Sequence, residues 1–262
     1  MPSEGVTPHG DRRPDLAGRR SFLDRHILIH THVPKTAGST LSHAVASIVG
    51  GTQSMDLRLK RRIRLRDMSG DDKAALRFLS GHFSHGIHER FSQKPLYIAA
   101  LRAPVERAIS RYRFMQRNPE FDRVEDLRGK SFEEAWEMLA ADPNRSRSND
   151  QSRILCGLPP ANQPEAEHLW RQVEEGYFLL IPMPELETAI QHLRAAFGLP
   201  WTKIPRMNPS RGEPPEISAV MQAKVLDENR LDAELYAHVK DTFQERLAKA
   251  CDYIAAECLA AG

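Results

Sequence analysis

His30-Thr31-His32-Val33-Pro34-Lys35-Thr36-Ala37-Gly38-Ser39-Thr40-Leu41 is the stretch on which the fold turns. An apolar run, Ile27-Leu28-Ile29, leads into it, and residues 41–49 repeat apolar side chains at helical spacing. Strand, tight loop and helix N-terminus therefore follow one another. Such a loop aims backbone N–H groups, the positive end of a helix dipole and the Lys35 ammonium at one point, which suits a phosphate-like anion. Lys35 precedes Gly38 instead of following it, so the ATP-binding pattern G-x-x-x-x-G-K-[ST] is absent and nucleotide triphosphatase chemistry is disfavoured. Taken alone, the turn also reads as a helix cap, with Ser39 or Thr40 satisfying the first free amides.

A second segment carries the reading further. Leu96-Tyr97-Ile98-Ala99-Ala100-Leu101 is a buried strand by composition, Arg102 sits at its carboxyl end, and Pro104 suits the first turn of a helix. Along that helix come Arg107, Ser110, Arg111 and Arg113. Ligands of open parallel sheets bind at the carboxyl ends of strands. Arg102 and Ser110 lie about two helical turns apart and both reach toward one anion. Two anion sites at two strand ends imply a ligand with phosphates at both ends of a nucleoside. The remaining cations of the helix, Arg107, Arg111 and Arg113, read as solvated or paired with Glu106 and its neighbours.

His32-Val33-Pro34-Lys35-Thr36-Ala37-Gly38-Ser39-Thr40 resembles the 5′-phosphosulfate loop of sulfotransferases that use 3′-phosphoadenosine 5′-phosphosulfate (PAPS). Leu101-Arg102-Ala103-Pro104-Val105-Glu106-Arg107-Ala108-Ile109-Ser110-Arg111-Tyr112 resembles their 3′-phosphate segment, with Ala103 where the family usually has Asp. The likeness is greatest to the carbohydrate branch, the uronyl and heparan sulfate 2-O-sulfotransferases and their bacterial relatives. It implies an α/β domain with a central parallel sheet flanked by helices, of the P-loop nucleotide-kinase-like sulfotransferase type. It also implies PAPS as co-substrate, with Lys35 binding the 5′-phosphosulfate and stabilising the departing phosphate. Thr36, Ala37, Gly38, Ser39 and Thr40 would supply loop amides and hydroxyls, and Arg102 and Ser110 would hold the 3′-phosphate. The chemistry calls for no metal.

Sulfuryl transfer to a hydroxyl needs a base for the acceptor proton. Leu79-Ser80-Gly81-His82-Phe83-Ser84-His85 reads as a strand end and a loop, and Gly81-His82 resembles the Gly-His motif of the 2-O-sulfotransferases, whose His is the catalytic base. The role passes to His82, whose ordinary pKa lies near neutrality; a purely structural histidine at a strand end is the other reading. Ser80 stands where those enzymes can show a second His. His85 and Arg153, the latter within Asn149-Asp150-Gln151-Ser152-Arg153-Ile154-Leu155-Cys156-Gly157, are expected on the acceptor side. His30 and His32 share one face by alternation, with no third residue spaced for a metal, and read as packing or support. Met207-Asn208-Pro209-Ser210-Arg211-Gly212 occupies the place of a cofactor-proximal Asn-x-Ser/Thr segment, or forms a plain turn.

The 262 residues suffice for one well-cored domain. A formal charge of +2 carries no nucleic-acid signature. Residues 57–66 nevertheless gather six cations in ten positions, either to line a cleft for an anionic acceptor or as a solvated face. Three cysteines without metal or disulfide spacing fit a reducing compartment. Residues 1–20 read as a disordered lead without a targeting or membrane-spanning pattern, and residues 21–262 as a single domain. The expectation is a bacterial, cytoplasmic enzyme whose acceptor is a hydroxyl on a glycan or on a glycosylated or lipid metabolite. Two rivals are a small-molecule kinase on the same sheet and a non-catalytic nucleotide-binding relative. The kinase needs a Mg²⁺-holding carboxylate at a strand end, and neither the His82 strand nor the Arg102 strand offers one. The polar residues 117–130 are expected to form a loop over the site, and residues 232–256 a long amphipathic helix.

Overall fold

The computed structural model describes residues 14–57, 65–83, 85–118, 124–140, 148–159, 162–205, 207 and 213–260. Most of the cationic run (58–64) and most of the Met207–Gly212 motif (208–212) lie outside the described residues. The order begins α1 (Leu16–Arg25), β1 (His26–Thr31), α2 (Gly38–Val49), β2 (Ser54–Asp56), α3 (Gly70–Ala75), β3 (Phe78–Gly81) and β4 (Lys94–Leu101). Then come α4 (Pro104–Arg117), α5 (Val124–Leu127), α6 (Phe132–Ala140), α7 (Asp150–Leu155) and α8 (Ala166–Arg171). The chain closes with β5 (Leu179–Pro182), α9 (Leu186–Ala196), α10 (Ala219–Glu228) and α11 (Arg230–Leu259).

The five strands form one parallel sheet in the order β2-β3-β1-β4-β5. Its central strands are apolar on both faces, as a sheet covered on both sides requires. Leu28, Leu96, Ile98, Ala100 and Ile181 meet α1, α2, α9 and the end of α11 on one face. Ile27, Ile29, Leu79, Tyr97, Ala99 and Leu101 meet α7, α8 and the start of α11 on the other. Helix α11 runs along the β5 edge and supplies Leu235 and Val239 to the second face and Phe243, Leu247 and Ile254 to the first. A third cluster joins Tyr112 and Met115 of α4 to α5, α6 and α10.

Several expectations change here. Residues 16–20, assigned to a disordered lead, belong to α1, whose first turn is capped by Asp15 accepting from the Gly18 amide at 2.8 Å. Phe22 and Leu23 seat that helix in the core, which rewards order that local composition does not announce. The stretch 117–130 contains α5, anchored by fully buried Leu127, so it is not wholly loop. No helix among the described residues is long and apolar enough to cross a membrane.

The sheet order places β1 between β3 and β4, and the chain reverses its direction of winding there. The crevice outside the carboxyl ends of these three strands is therefore where an open α/β sheet binds its ligand.

Candidate active site

The loop after β1 is bent by two left-handed residues, Lys35 (φ 73) and Ala37 (φ 63). A side chain with a Cβ adopts this region at a cost of roughly 1–2 kcal/mol, and such strain gathers at sites where the surrounding structure enforces it. Thr36 is fully buried and its hydroxyl donates to the Val33 carbonyl at 2.9 Å, closing the turn from inside. Ala37 serves as the N-cap of α2 with no side-chain hydrogen bond. Gly38 begins the helix against the His32 ring: a Cβ there would stand 2.5 Å from His32 Cδ2 and Nε2. Ser39 is half-buried, while Thr40 is buried and accepts from the Met207 amide at 3.1 Å. Met207, the one described residue of its motif, is thereby tied to the first turn of α2.

The Lys35 ammonium lies 4.2 Å from the centroid of the Phe114 ring, on the face of α4 that also carries Arg107, Ser110 and Arg111. Burial and the nearby Arg102 guanidinium both push the Lys35 pKa down. Two cations pressed together at adjacent strand ends favour an anion between them. That mutual strain, together with the nest-forming loop, fits a phosphate-bearing ligand.

Arg102 follows β4 directly. Its Nε donates to Glu106 at 3.4 Å, and its backbone is held by the Gln151 carboxamide. Ser110 is buried one helical face away, and its hydroxyl makes no hydrogen bond among the described residues. Arg107 and Arg111 do not pair with Glu106. Both donate to Asp150 Oδ2, at 2.8 and 2.9 Å, and Arg107 Nε also donates to the Pro34 carbonyl at 3.1 Å. Arg153 completes the ring by donating to Asp150 Oδ1, with a further bond to the Leu158 carbonyl at 3.0 Å. Burial raises the Asp150 pKa, but the Arg107 and Arg111 charges and the bonds from Arg153 and Arg107 outweigh it and hold the carboxyl at about 2. The cations are drawn inward because one buried carboxylate gathers three guanidinium groups.

His82 is exposed at the end of β3, and register pairs Gly81 with Thr31. Its Nδ1 donates to the His32 carbonyl at 2.9 Å. His32 in turn stacks on His30, ring centroids 5.2 Å apart, and His30 Nδ1 joins a hydrogen-bonded triangle with Ser42 and Ser80. Ser80 thus supports the row from beneath. His30 and His32 are packed support, as the sequence suggests; among the described residues no group of three or more His, Cys, Asp or Glu is placed to hold a metal ion.

His85 turns elsewhere. It donates from Nε2 to the Gly176 carbonyl at 3.3 Å and lies among His88, Tyr97 and Tyr177, where burial lowers its pKa. Asp150, Gln151 and Phe114 are the functional neighbours that sequence reasoning missed. The polar Asn149-Asp150-Gln151 run ahead of an apolar Ile154-Leu155 was the available signal for the first two.

The family model described as "Sulfotransferase family" matches residues 21–184, a span that includes the loop, His82, Arg102, Ser110 and the Asp150 ring. No curated protein matches the chain. Among solved structures it is similar to mouse sulfotransferase SULT7A1 complexed with PAP, at 11% identity and a TM-score of 0.36 over 82% of this chain and 70% of that one.

Proposed function

The chain belongs to the sulfotransferase family and is an enzyme of PAPS-dependent sulfuryl transfer; we propose that Lys35 and His82 carry its reaction, with a hydroxyl of a carbohydrate as acceptor. The observation that carries this reading is the strand order. Because β3, β1 and β4 are neighbours, His82, Lys35 and Arg102 leave three adjacent strand ends on one side of the sheet.

PAPS supplies an activated sulfuryl group on its 5′-phosphate. The loop amides of residues 36–40 and the Lys35 ammonium would hold that end, and Arg102 with the Ser110 hydroxyl would hold the 3′-phosphate. As the S–O bond to the phosphate breaks, negative charge grows on the bridging oxygen. Lys35 stabilises it with a charge fixed in place before the reaction begins. His82 Nε2 takes the proton of the attacking hydroxyl as the new S–O bond forms. Because Nδ1 already donates to a carbonyl, the neutral ring presents its lone pair at Nε2. The products are the sulfated acceptor, 3′-phosphoadenosine 5′-phosphate (PAP) and a proton on His82.

The carbohydrate assignment is supported by the Gly81-His82 likeness to the 2-O-sulfotransferases. A reducing, cytoplasmic setting agrees with three free cysteines whose thiols burial pushes up to about 12, 12 and 11.

Calorimetric titration with PAP, AMP and ATP tests the site. Micromolar binding of PAP, lost in Arg102→Ala, is the expected result. Preference for ATP, or no nucleotide binding, overturns the reading.

A further inference from the structure

Strand β4 ends at Leu101, whose register partner in β5 is Pro182. The next residue, Arg102, has no strand beside it, yet its backbone N–H and C=O lie half-buried and need partners. Gln151 supplies both. Its Oε1 accepts from the Arg102 amide at 2.9 Å, and its Nε2 donates to the Arg102 carbonyl at 2.8 Å. One side-chain amide thus pairs with Arg102 as a neighbouring strand residue would. Gln151 is itself fully buried, with both ends of its carboxamide engaged.

The helix that carries Gln151 is anchored independently. Asp232 of α11, buried, accepts from the Gln151 amide at 3.1 Å and from the Ser152 amide and hydroxyl at 2.8 and 2.7 Å. Asn149 and Asn229 are bonded across the same junction. The preceding residue, Asp150, holds Arg107, and Arg107 holds the Pro34 carbonyl just ahead of Lys35. Two consecutive residues of α7 therefore reach the two ends of the site. Asp150 acts on the loop that faces the 5′ end, and Gln151 acts on the residue that faces the 3′ end.

We infer that Gln151 is the positioning residue for 3′-phosphate recognition: its carboxamide extends the sheet by one residue and fixes the Arg102 backbone, so that the enzyme selects a nucleotide phosphorylated at both ends. The inference rests on the reading of the site given above. It assigns no contact between Gln151 and the ligand. The effect passes through Arg102, whose guanidinium loses its set position once its backbone is released.

The test compares PAP and AMP affinities by calorimetry in the wild-type chain, in Gln151→Met, which keeps the length and removes the hydrogen bonds, and in Gln151→Asn, whose amide is too short to reach. The wild type should prefer PAP. Both variants should lose at least tenfold of that preference while AMP affinity stays within twofold of wild type. AMP binding also reports that the variants fold. A parallel fall in both affinities, or an unchanged ratio, overturns the inference while leaving the site reading intact. A wild type that does not prefer PAP sinks both. Amide hydrogen exchange on the unaltered protein provides a check that needs no variant. The Arg102 N–H should be protected to the level of Leu101, and free exchange at Arg102 overturns the inference directly.

Discussion

His82 donates its Nδ1 proton to the backbone carbonyl of His32 across 2.9 Å, and the two rings stand 4.7 Å apart. His32 is also the residue at which β1 gives way to the anion loop, and its ring fills the space beside Gly38. The proposed base and the proposed phosphosulfate loop are thereby fixed to a common residue. A backbone carbonyl thus sets the orientation of the His82 ring.

From this follows the effect of removing the base. His82→Ala should lower kcat by on the order of a hundredfold or more, the usual worth of a positioned general base. PAP affinity should stay unchanged, because the residues proposed to hold the phosphates lie elsewhere. Single-turnover rates at saturating PAPS check this. Full turnover in the variant would remove His82 from the mechanism.

Lys35 sets stability against activity. It is half-buried, sits at φ 73 and is repelled by Arg102. Lys35→Gly relieves the backbone and removes the repulsion, so the variant should be more stable by about 1 kcal/mol. Turnover should fall on the order of 10²–10³-fold with loss of the leaving-group charge partner. Thermal melts and initial rates, measured on the same preparation, should move in opposite directions. A variant that is both less stable and active contradicts the assignment.

The contact of Gly38 with His32 is steric and can be isolated. Gly38→Ala should destabilise by about 1–3 kcal/mol, since His32 is held between His30 and His82 and has no room to retreat. In a His32→Ala background the same substitution should cost almost nothing, because the wall is gone. Denaturant titrations of the four proteins of this cycle give the coupling directly. Equal costs in both backgrounds would mean that the helix start is restricted by something other than the ring.

Acid titration reads out the Asp150 ring. The carboxyl is held at about 2 in the folded chain, below its ordinary range, so its contribution is complete above about pH 4 and is lost as pH falls toward 2. It amounts to about 2 kcal/mol at neutral pH. Asp150→Asn should cost about 3–5 kcal/mol at neutral pH by leaving guanidinium groups unpaired, and its stability should lack that acid slope. Urea melts between pH 2 and 6 measure both. An acid slope that survives in the variant would assign it to another carboxylate.

The parts of the site legible in the sequence are those carried by contiguous residues. Ile27-Leu28-Ile29 and residues 96–101 are buried by composition alone, and the Lys35 loop and the Arg102–Pro104 turn follow from what must join such strands to helices. Gly198, just past the C-cap of α9, adopts a left-handed φ of 70, the conformation in which glycine commonly ends a helix. What could not be read was carried by distant partners. Arg107 and Arg111 look solvated until a carboxylate 43 and 39 positions away folds against them. Residues 16–20 look structureless until Phe22 and Leu23 find the core. Residues 213–229 gave no clear signal, and α10 forms there because Met221 and Val225 meet the α4–α6 cluster.

The meeting of α1 with the last turns of α11 has a bearing on truncation. Gly18 packs so closely on the Cys258 carbonyl that a Cβ would stand 2.2 Å from it, and Arg25 pairs with Glu257 at 3.0 Å. Helix α1 therefore waits for the last turns of α11 before it is seated. Asp232, which anchors the helix behind Arg102, belongs to α11 as well. A chain cut before α11 keeps the residues of the loop after β1 and loses the Asp232 anchor of α7, and with it the brace behind Arg102.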